Sequence, residues 1–227
     1  MRLAVIPARG GSKRIPRKNV RLFAGRPMIG HAIAVAEVAG VFDRIIVSTD
    51  DDEIADVAEA FGAEVPFRRP AALADDHAGT VPVIAHAIDA LAQQGWSAHE
   101  VCCLYPGVPL LQPEELRRAQ RQMSEDGCRW VLGVVPFPTP VQRALRRDEQ
   151  GRLDSMQPEY AQTRTQDLPV AYHDAGQFCW GLAEAWQAGE NPHLGGGSVV
   201  LPPWRAVDID TPDDWLRAEA LYAALSR

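Results

Sequence analysis

Through its first half the chain alternates short apolar runs with stretches of helical spacing, and this alternation limits the possible folds more than any other feature. Leu3-Ala4-Val5-Ile6 is apolar throughout and of strand length, as expected for a strand buried on both faces. Residues 27–39 then place Met28, Ile29, Ala32, Ile33, Val35 and Ala36 at helical spacing and close at Gly40, where a left-handed cap is expected. The pair recurs: 44–48 predicts a strand, and Asp50 and Asp51 open a helix that ends near Gly62. Further on, 81–94 predicts a helix, 100–105 a strand, 113–125 a helix and 130–136 a strand. Such a succession predicts an α/β fold whose sheet is mostly parallel and covered by helices on both faces. With 227 residues, 46% of them hydrophobic, one domain over 1–227 is expected.

The rhythm breaks at Pro136. Closely spaced prolines (Pro136, Pro138, Pro140) and short strands about the turn Asp148-Glu149-Gln150-Gly151 predict a small β-rich excursion over 136–174. Helical periodicity returns at Thr211-Pro212-Asp213-Asp214, where threonine caps, proline suits the first turn and the acids face the positive helix end.

Composition removes several classes of function. A net charge of −7 argues against a nucleic-acid-binding surface, which normally carries a basic stripe. No apolar run approaches the roughly 20 residues of a membrane span, and the stretch after Arg2 does not resemble a signal peptide. Cys102, Cys103, Cys128 and Cys179 lack metal-type spacing and read as reduced thiols, so a cytoplasmic location is expected.

Against this acidic background, the loop after the first strand stands apart. Between Ala8 and Asn19 it gathers Arg9, Lys13, Arg14, Arg17 and Lys18 around Gly10 and Gly11, at the carboxyl end where open α/β sheets bind ligands. The glycines let backbone amides approach an anion and the cations neutralise it, so a polyphosphate is the expected guest. The spacing is neither Walker A nor GxGxxG. Near the other end of the chain, Asp208 and Asp210 flank Ile209, and in an extended segment both carboxylates face one side. Hard oxygen ligands of that kind suit Mg²⁺ on a triphosphate.

The run Ile6-Pro7-Ala8-Arg9-Gly10-Gly11-Ser12-Lys13-Arg14-Ile15-Pro16-Arg17-Lys18-Asn19 resembles the signature opening of the sugar-acid cytidylyltransferases, which include the CMP-sialic acid synthetases. Ser48-Thr49-Asp50, Phe67-Arg68-Arg69-Pro70, the Tyr105-Pro106 to Pro109 turn and Asp208-Ile209-Asp210-Thr211 follow in that family's order. The resemblance implies a single Rossmann-like, GT-A-like nucleotidyltransferase domain that uses Mg²⁺. It also implies a homodimer in which the 136–174 excursion reaches the partner. The implied reaction joins CTP to the anomeric hydroxyl of a 2-keto sugar acid and releases pyrophosphate.

By the same resemblance Arg9, Gly10, Gly11, Ser12 and Lys13 hold the triphosphate, Lys18 stands near the α-phosphate and Asn19 steadies the nucleotide. Arg69 reads the base, with Asp75-Asp76-His77-Ala78-Gly79-Thr80 beside it. Arg9, Lys18 and Asp210 are the expected catalytic set, Asp208 and Asp210 the metal ligands. Gln142-Arg143-Ala144-Leu145, Thr163 to Pro169 and Tyr172 to Phe178 look most like members acting on pseudaminic acid. They assign the sugar carboxylate to Arg164, with Arg143 second. The amides and hydroxyls go to Gln142, Gln166, His173, Asp174 and Gln177. Legionaminic, N-acetylneuraminic and 3-deoxy-manno-octulosonic acids are the alternative substrates, and a non-catalytic nucleotide-binding module is the alternative of another class. Gly107 stands where family members usually show a hydroxyl residue, and His31, His77, His86, His99 and His193 have no ligand spacing and read as ordinary surface or core residues.

Overall fold

A computed structural model describes residues 1–75 and 78–225. The chain opens with β1 (Arg2–Pro7), a two-residue hairpin of β2 (Leu22–Phe23) and β3 (Arg26–Pro27), and helix α1 (Met28–Ala39). It continues through β4 (Arg44–Ser48), α2 (Asp52–Ala60), α3 (Thr80–Ala92), β5 (Glu100–Leu104), α4 (Pro113–Asp126) and β6 (Trp130–Pro136). A second hairpin of β7 (Leu145–Arg147) and β8 (Leu153–Ser155) precedes β9 (Tyr172–Leu182), α5 (Ala183–Gln187), β10 (Gly197–Val200) and α6 (Pro212–Leu225).

Six strands form one sheet in the order β10-β6-β9-β5-β1-β4. Within β1, alternation sends Ala4 and Ile6 into the core beneath α1 and α4, and Leu3 and Val5 into the opposite core beneath α3 and α5. Apolar side chains are needed on both faces, which is why this strand reads as an unbroken apolar run. The sheet is mostly parallel, as expected, with one exception. Strand β9 runs antiparallel between β5 and β6. The excursion explains the reversal: the chain leaves β6 at Pro136 and returns at Tyr172, which pairs with it, so the detached segment is 137–171 and its last predicted residues belong to the sheet.

A third apolar cluster bears directly on function. Ile15 of the cationic loop and Ile209 are both buried against Phe23, Leu110, Trp215 and Ala218. One patch of core therefore joins two segments nearly 200 positions apart, and their polar neighbours come together as a result.

Gly181 in β9 lies under the edge-to-face pair Trp130 and Trp186. A Cβ here would drive into the Trp130 ring and come 2.7 Å from the Trp186 Nε1. Gly181→Ala should destabilise by about 3 kcal/mol and lower the melting temperature by about 6–12 °C in a thermal scan.

Candidate functional site

Backbone geometry shapes the cationic loop first. Arg17 adopts φ 56°, a left-handed conformation uncommon outside glycine, and Val20 and Arg21 both donate back to its carbonyl. The surroundings hold it there: its guanidinium donates to both oxygens of Asp51, at 2.6 and 3.0 Å, and to Glu53. This pairing lowers the Asp51 carboxyl below its usual range and raises the guanidinium. Asp51 also caps α2 through the Ile54 N–H at 3.0 Å. Beside it the Gly10 N–H donates to Asp50 Oδ1 at 3.0 Å, and a Cβ on Gly10 would lie 2.6 Å from an Asp51 oxygen. Only glycine lets the loop lie so close to the start of α2.

The Arg17 pairs are partly exposed, so their worth lies in loop order rather than global stability. Arg17→Ala should shift the melting temperature by less than about 4 °C. Affinity for a nucleoside triphosphate should fall about tenfold in a calorimetric titration, because binding must then also order the loop.

Three chambers run in series along the carboxyl ends of the strands, and Tyr105 borders all of them. The central one, about 480 Å³, is walled by Arg9, Ser12, Lys13, Arg14, Lys18 and Asn19. On one side lies a small recess of about 190 Å³ bordered by Arg9, Arg69, Asp75 and Thr80. On the other lies a chamber of about 430 Å³ bordered by Lys18, Gly107, Asp174, Gly176, Asp208 and Asp210.

In the recess Arg69 is only 6% exposed. Its Nε donates to Ser48 Oγ at 3.2 Å and an Nη to the Ser48 carbonyl, which fixes the guanidinium plane. Burial lowers its pKa, Asp50 opposes this and Arg9 adds to it. Tyr105 Oη lies 3.2 Å from Thr80 Oγ1, and its phenol is pushed up by the neighbouring Cys103 sulfur and by burial, so it stays neutral. Asp76 and His77, in the segment assigned to the base, lie outside the described residues.

In the central chamber the Asn19 Nδ2 donates to the Arg9 carbonyl at 3.0 Å, while its Oδ1 is buried without a partner. An orphaned acceptor of this kind is costly unless a ligand donor meets it. Lys18 Nζ donates to the Ile209 carbonyl at 2.7 Å and lies 3.4 Å from Asp210 Oδ1. Arg14 pairs with the other Asp210 oxygen at 2.9 Å.

Asp210 is placed by α6. Thr211 and Asp214 form a reciprocal cap, in which Asp214 Oδ2 accepts from the Asp210 N–H at 3.2 Å and the Thr211 N–H at 2.8 Å. With Ile209 buried, Asp208 and Asp210 both border the larger side chamber. Burial and the Asp210 charge raise the Asp208 carboxyl, and Lys18 only partly offsets them. Two crowded carboxylates of this kind fit a divalent cation whose other ligands come from phosphate and water. Among the described residues no three His, Cys, Asp or Glu side chains gather into a complete protein metal cage.

The sugar-assigned residues divide. Asp174 borders the same chamber as Asp208, and Gly176 at φ 62° faces the Asp208 side chain. Gln177 is buried behind them, its Nε2 donating to the Ala175 carbonyl at 3.1 Å, and His173 borders a separate cavity. Gln142, Arg143, Arg164 and Gln166 border none of the three chambers. Instead Gln142 donates to the Pro169 carbonyl at 3.1 Å, Arg143 to the Thr163 carbonyl at 2.6 Å and Arg164 to Asp167 at 2.7 Å, all within the excursion. Gln166 lies in the short turn Thr165–Asp167. Tyr105, Arg14 and His193 acquire positions that sequence reasoning did not assign. Gly107 has no positive φ and open space where a Cβ would stand, so the backbone does not require a glycine there.

The family model described as Cytidylyltransferase matches residues 3–185. A pseudaminic acid cytidylyltransferase of Campylobacter jejuni subsp. jejuni is 40% identical over 223 residues, covering 97% of this chain and 95% of that one. A CMP-N,N'-diacetyllegionaminic acid synthase of Legionella pneumophila subsp. pneumophila is 34% identical, covering 96% of this chain and 95% of its own. Among solved structures, a CMP:2-keto-3-deoxy-manno-octonic acid synthetase complexed with CTP superposes with a TM-score of 0.71 at 18% identity, covering 99% of both chains.

Proposed function

Because the chain belongs to the cytidylyltransferase family, we propose that it transfers CMP from CTP to the anomeric hydroxyl of pseudaminic acid, releasing pyrophosphate. The observation that carries this reading is the 40% identity to the Campylobacter enzyme over 97% of the chain.

The three chambers supply a path for such a reaction. Cytosine fits the recess, where Arg69 and backbone groups discriminate its edge. The triphosphate lies over Arg9, Ser12 and Lys13, whose charges substitute for water around the phosphates. The sugar enters the chamber of Asp174 and Gly176, and its hydroxyl attacks the α-phosphorus opposite the pyrophosphate. Lys18, at the junction of the two larger chambers, faces the atom where charge develops. Asp208 and Asp210 would hold Mg²⁺, which neutralises phosphate charge and favours the leaving group. Binding at the junction requires Lys18 and Arg14 to exchange Asp210 for phosphate, so cation and nucleotide should bind cooperatively. Asp210, where not engaged with the cation, is placed to accept the hydroxyl proton.

The excursion is the proposed homodimer contact. It and the start of β9 expose Phe137, Leu145, Leu153, Met156, Val170 and Tyr172, apolar side chains that a second copy could cover. A second copy covering it would also explain why Arg143 and Arg164 border no chamber of their own chain: they would serve the partner's sugar site. No helix among the described residues is long and apolar enough to cross a membrane. We place the enzyme in the cytoplasm, where CTP is found.

A pyrophosphate-release assay with CTP and Mg²⁺ tests the substrate, comparing pseudaminic, legionaminic, N-acetylneuraminic and 3-deoxy-manno-octulosonic acids. Preference for pseudaminic acid is the expected result. Equal rates would remove the sugar assignment, and no release with any of them would remove the activity.

A further inference from the structure

We infer that His193, in the loop before β10, is a positioning residue that fixes the Asp174 carboxylate at the sugar end of the cleft. The inference rests on the reading that this chamber receives an acidic sugar.

Asp174 is the wall between two cavities. One is the chamber of Asp208 and Asp210; the other, about 290 Å³, lies behind it and is bordered by His173, His193 and the glycines at 195–197. Asp174 Oδ1 accepts the Gly176 N–H at 2.8 Å, and Oδ2 accepts from His193 Nε2 at 3.1 Å. Among the described residues His193 supplies the one side-chain bond to this carboxylate. His173, although adjacent in sequence, does not compete for it: its Nδ1 bonds the Asp174 carbonyl at 2.8 Å and its ring packs against Phe137.

The strand needs such a support at this point. Val134 pairs with Asp174 but Leu132 pairs with Cys179, so residues 175–178 bulge away from β6 opposite Gly133, while Phe178 stays paired with Leu104 of β5. A bulge re-aims side chains at the cost of ladder bonds; its far end stays bonded to β5, through the Tyr105 N–H to the Gln177 carbonyl, so side-chain contacts matter most at the Asp174 end. His193 is itself anchored, since its N–H donates to Asn191 Oδ1 at 3.0 Å and its loop leads into β10, which pairs with β6 from Gly197. Charge argues the same way. Asp174 is a carboxylate outside the proposed cation pair in a chamber read as taking an anionic sugar, and an imidazole N–H bonded to it draws part of its charge away from the substrate. It also leaves the front lone pairs of Asp174 aimed at a sugar hydroxyl.

Steady-state kinetics with CTP and pseudaminic acid varied in turn test the proposal. His193→Ala should raise the KM for the sugar about five- to tenfold, the loss of one charge-assisted hydrogen bond, with the KM for CTP and kcat within about twofold. His193→Gln, which keeps a donor, should recover most of the loss. In an Asp174→Ala background, His193→Ala should add nothing. An unchanged sugar KM, an equal rise in both KM values, or a glutamine variant no better than alanine would overturn the proposal. Nitrogen-15 spectra of labelled histidine provide a readout that does not need turnover: the His193 ring resonances should move in Asp174→Ala. If the wild type releases no pyrophosphate with any sugar acid, the activity reading fails, and unchanged His193 resonances would then overturn the clamp separately.

Discussion

Replacing Lys18 by alanine should lower kcat by about a thousandfold and leave the KM for CTP within about threefold, the expected signature of a cation that acts on the transition state. The geometry separates it from the other cations of the loop. Its Nζ is held by the Ile209 carbonyl at 2.7 Å, so it is aimed before any ligand arrives, and it borders both the central chamber and the chamber of Asp174 and Asp208. Arg9, Lys13 and Arg14 border the central chamber but not that of Asp174 and Asp208, so on the proposed reading their loss should appear mainly in nucleotide affinity. Lys18→Arg should rescue little. The planar guanidinium is larger than the ammonium and cannot direct one compact charge between Ile209 and Asp210. Single-turnover rates with saturating CTP and sugar acid make the comparison, and a Lys18→Ala enzyme that loses affinity but keeps its rate would remove Lys18 from the chemical step.

How far the sequence shows this site depends on what kind of force makes each part. Local forces are legible. The strands at Arg44–Ser48 and Trp130–Pro136 fall on the predicted residues, Gly40 and Asp51 cap where expected, and the reciprocal cap of Thr211 and Asp214 is written in four consecutive residues. The cationic loop was also legible as a distinct basic segment at the carboxyl end of β1, because five cations gathered about two glycines stand out in an acidic chain. Register and strand direction were not. Nothing in Tyr172 to Leu182 tells whether it runs with or against its neighbours; the direction depends on where the excursion releases the chain. Strand β10 was missed because a glycine run followed by two valines carries little strand signal. The partners of single side chains were hidden for the same reason. His193 has no motif around it, and it acquires a role only because pairing of β10 with β6 carries its loop behind Asp174. Arg17 was visible as one more cation, yet its left-handed backbone and its grip on Asp51 arise from contacts 34 positions away.

Asp208→Asn should abolish turnover, by about a thousandfold or more, while making the ligand-free protein more resistant to heat at neutral pH. Asp208 is crowded by protein atoms and by the Asp210 carboxylate, and its pKa is raised above the ordinary carboxylate range. A raised acid binds its proton more tightly folded than unfolded, so stability falls as pH rises from the ordinary value through the raised one. At neutral pH the folded chain therefore carries a cost from the ionised pair that asparagine removes; in acid, where the carboxyl is protonated in both states, asparagine removes nothing. Thermal scans of both proteins at pH 7 and near pH 3 should show the gain only at pH 7. Adding Mg²⁺ with CTP should raise the melting temperature of the wild type more than that of Asp208→Asn, since a cation that meets both carboxylates binds the folded state alone. Equal shifts in the two proteins would mean that the cation is held elsewhere. The pair would then be a local electrostatic strain at the helix entrance rather than a binding site. If the shifts differ as expected, the instability of the empty site and its affinity for the cation have one origin: two like charges held together by the burial of Ile209 and the cap of α6.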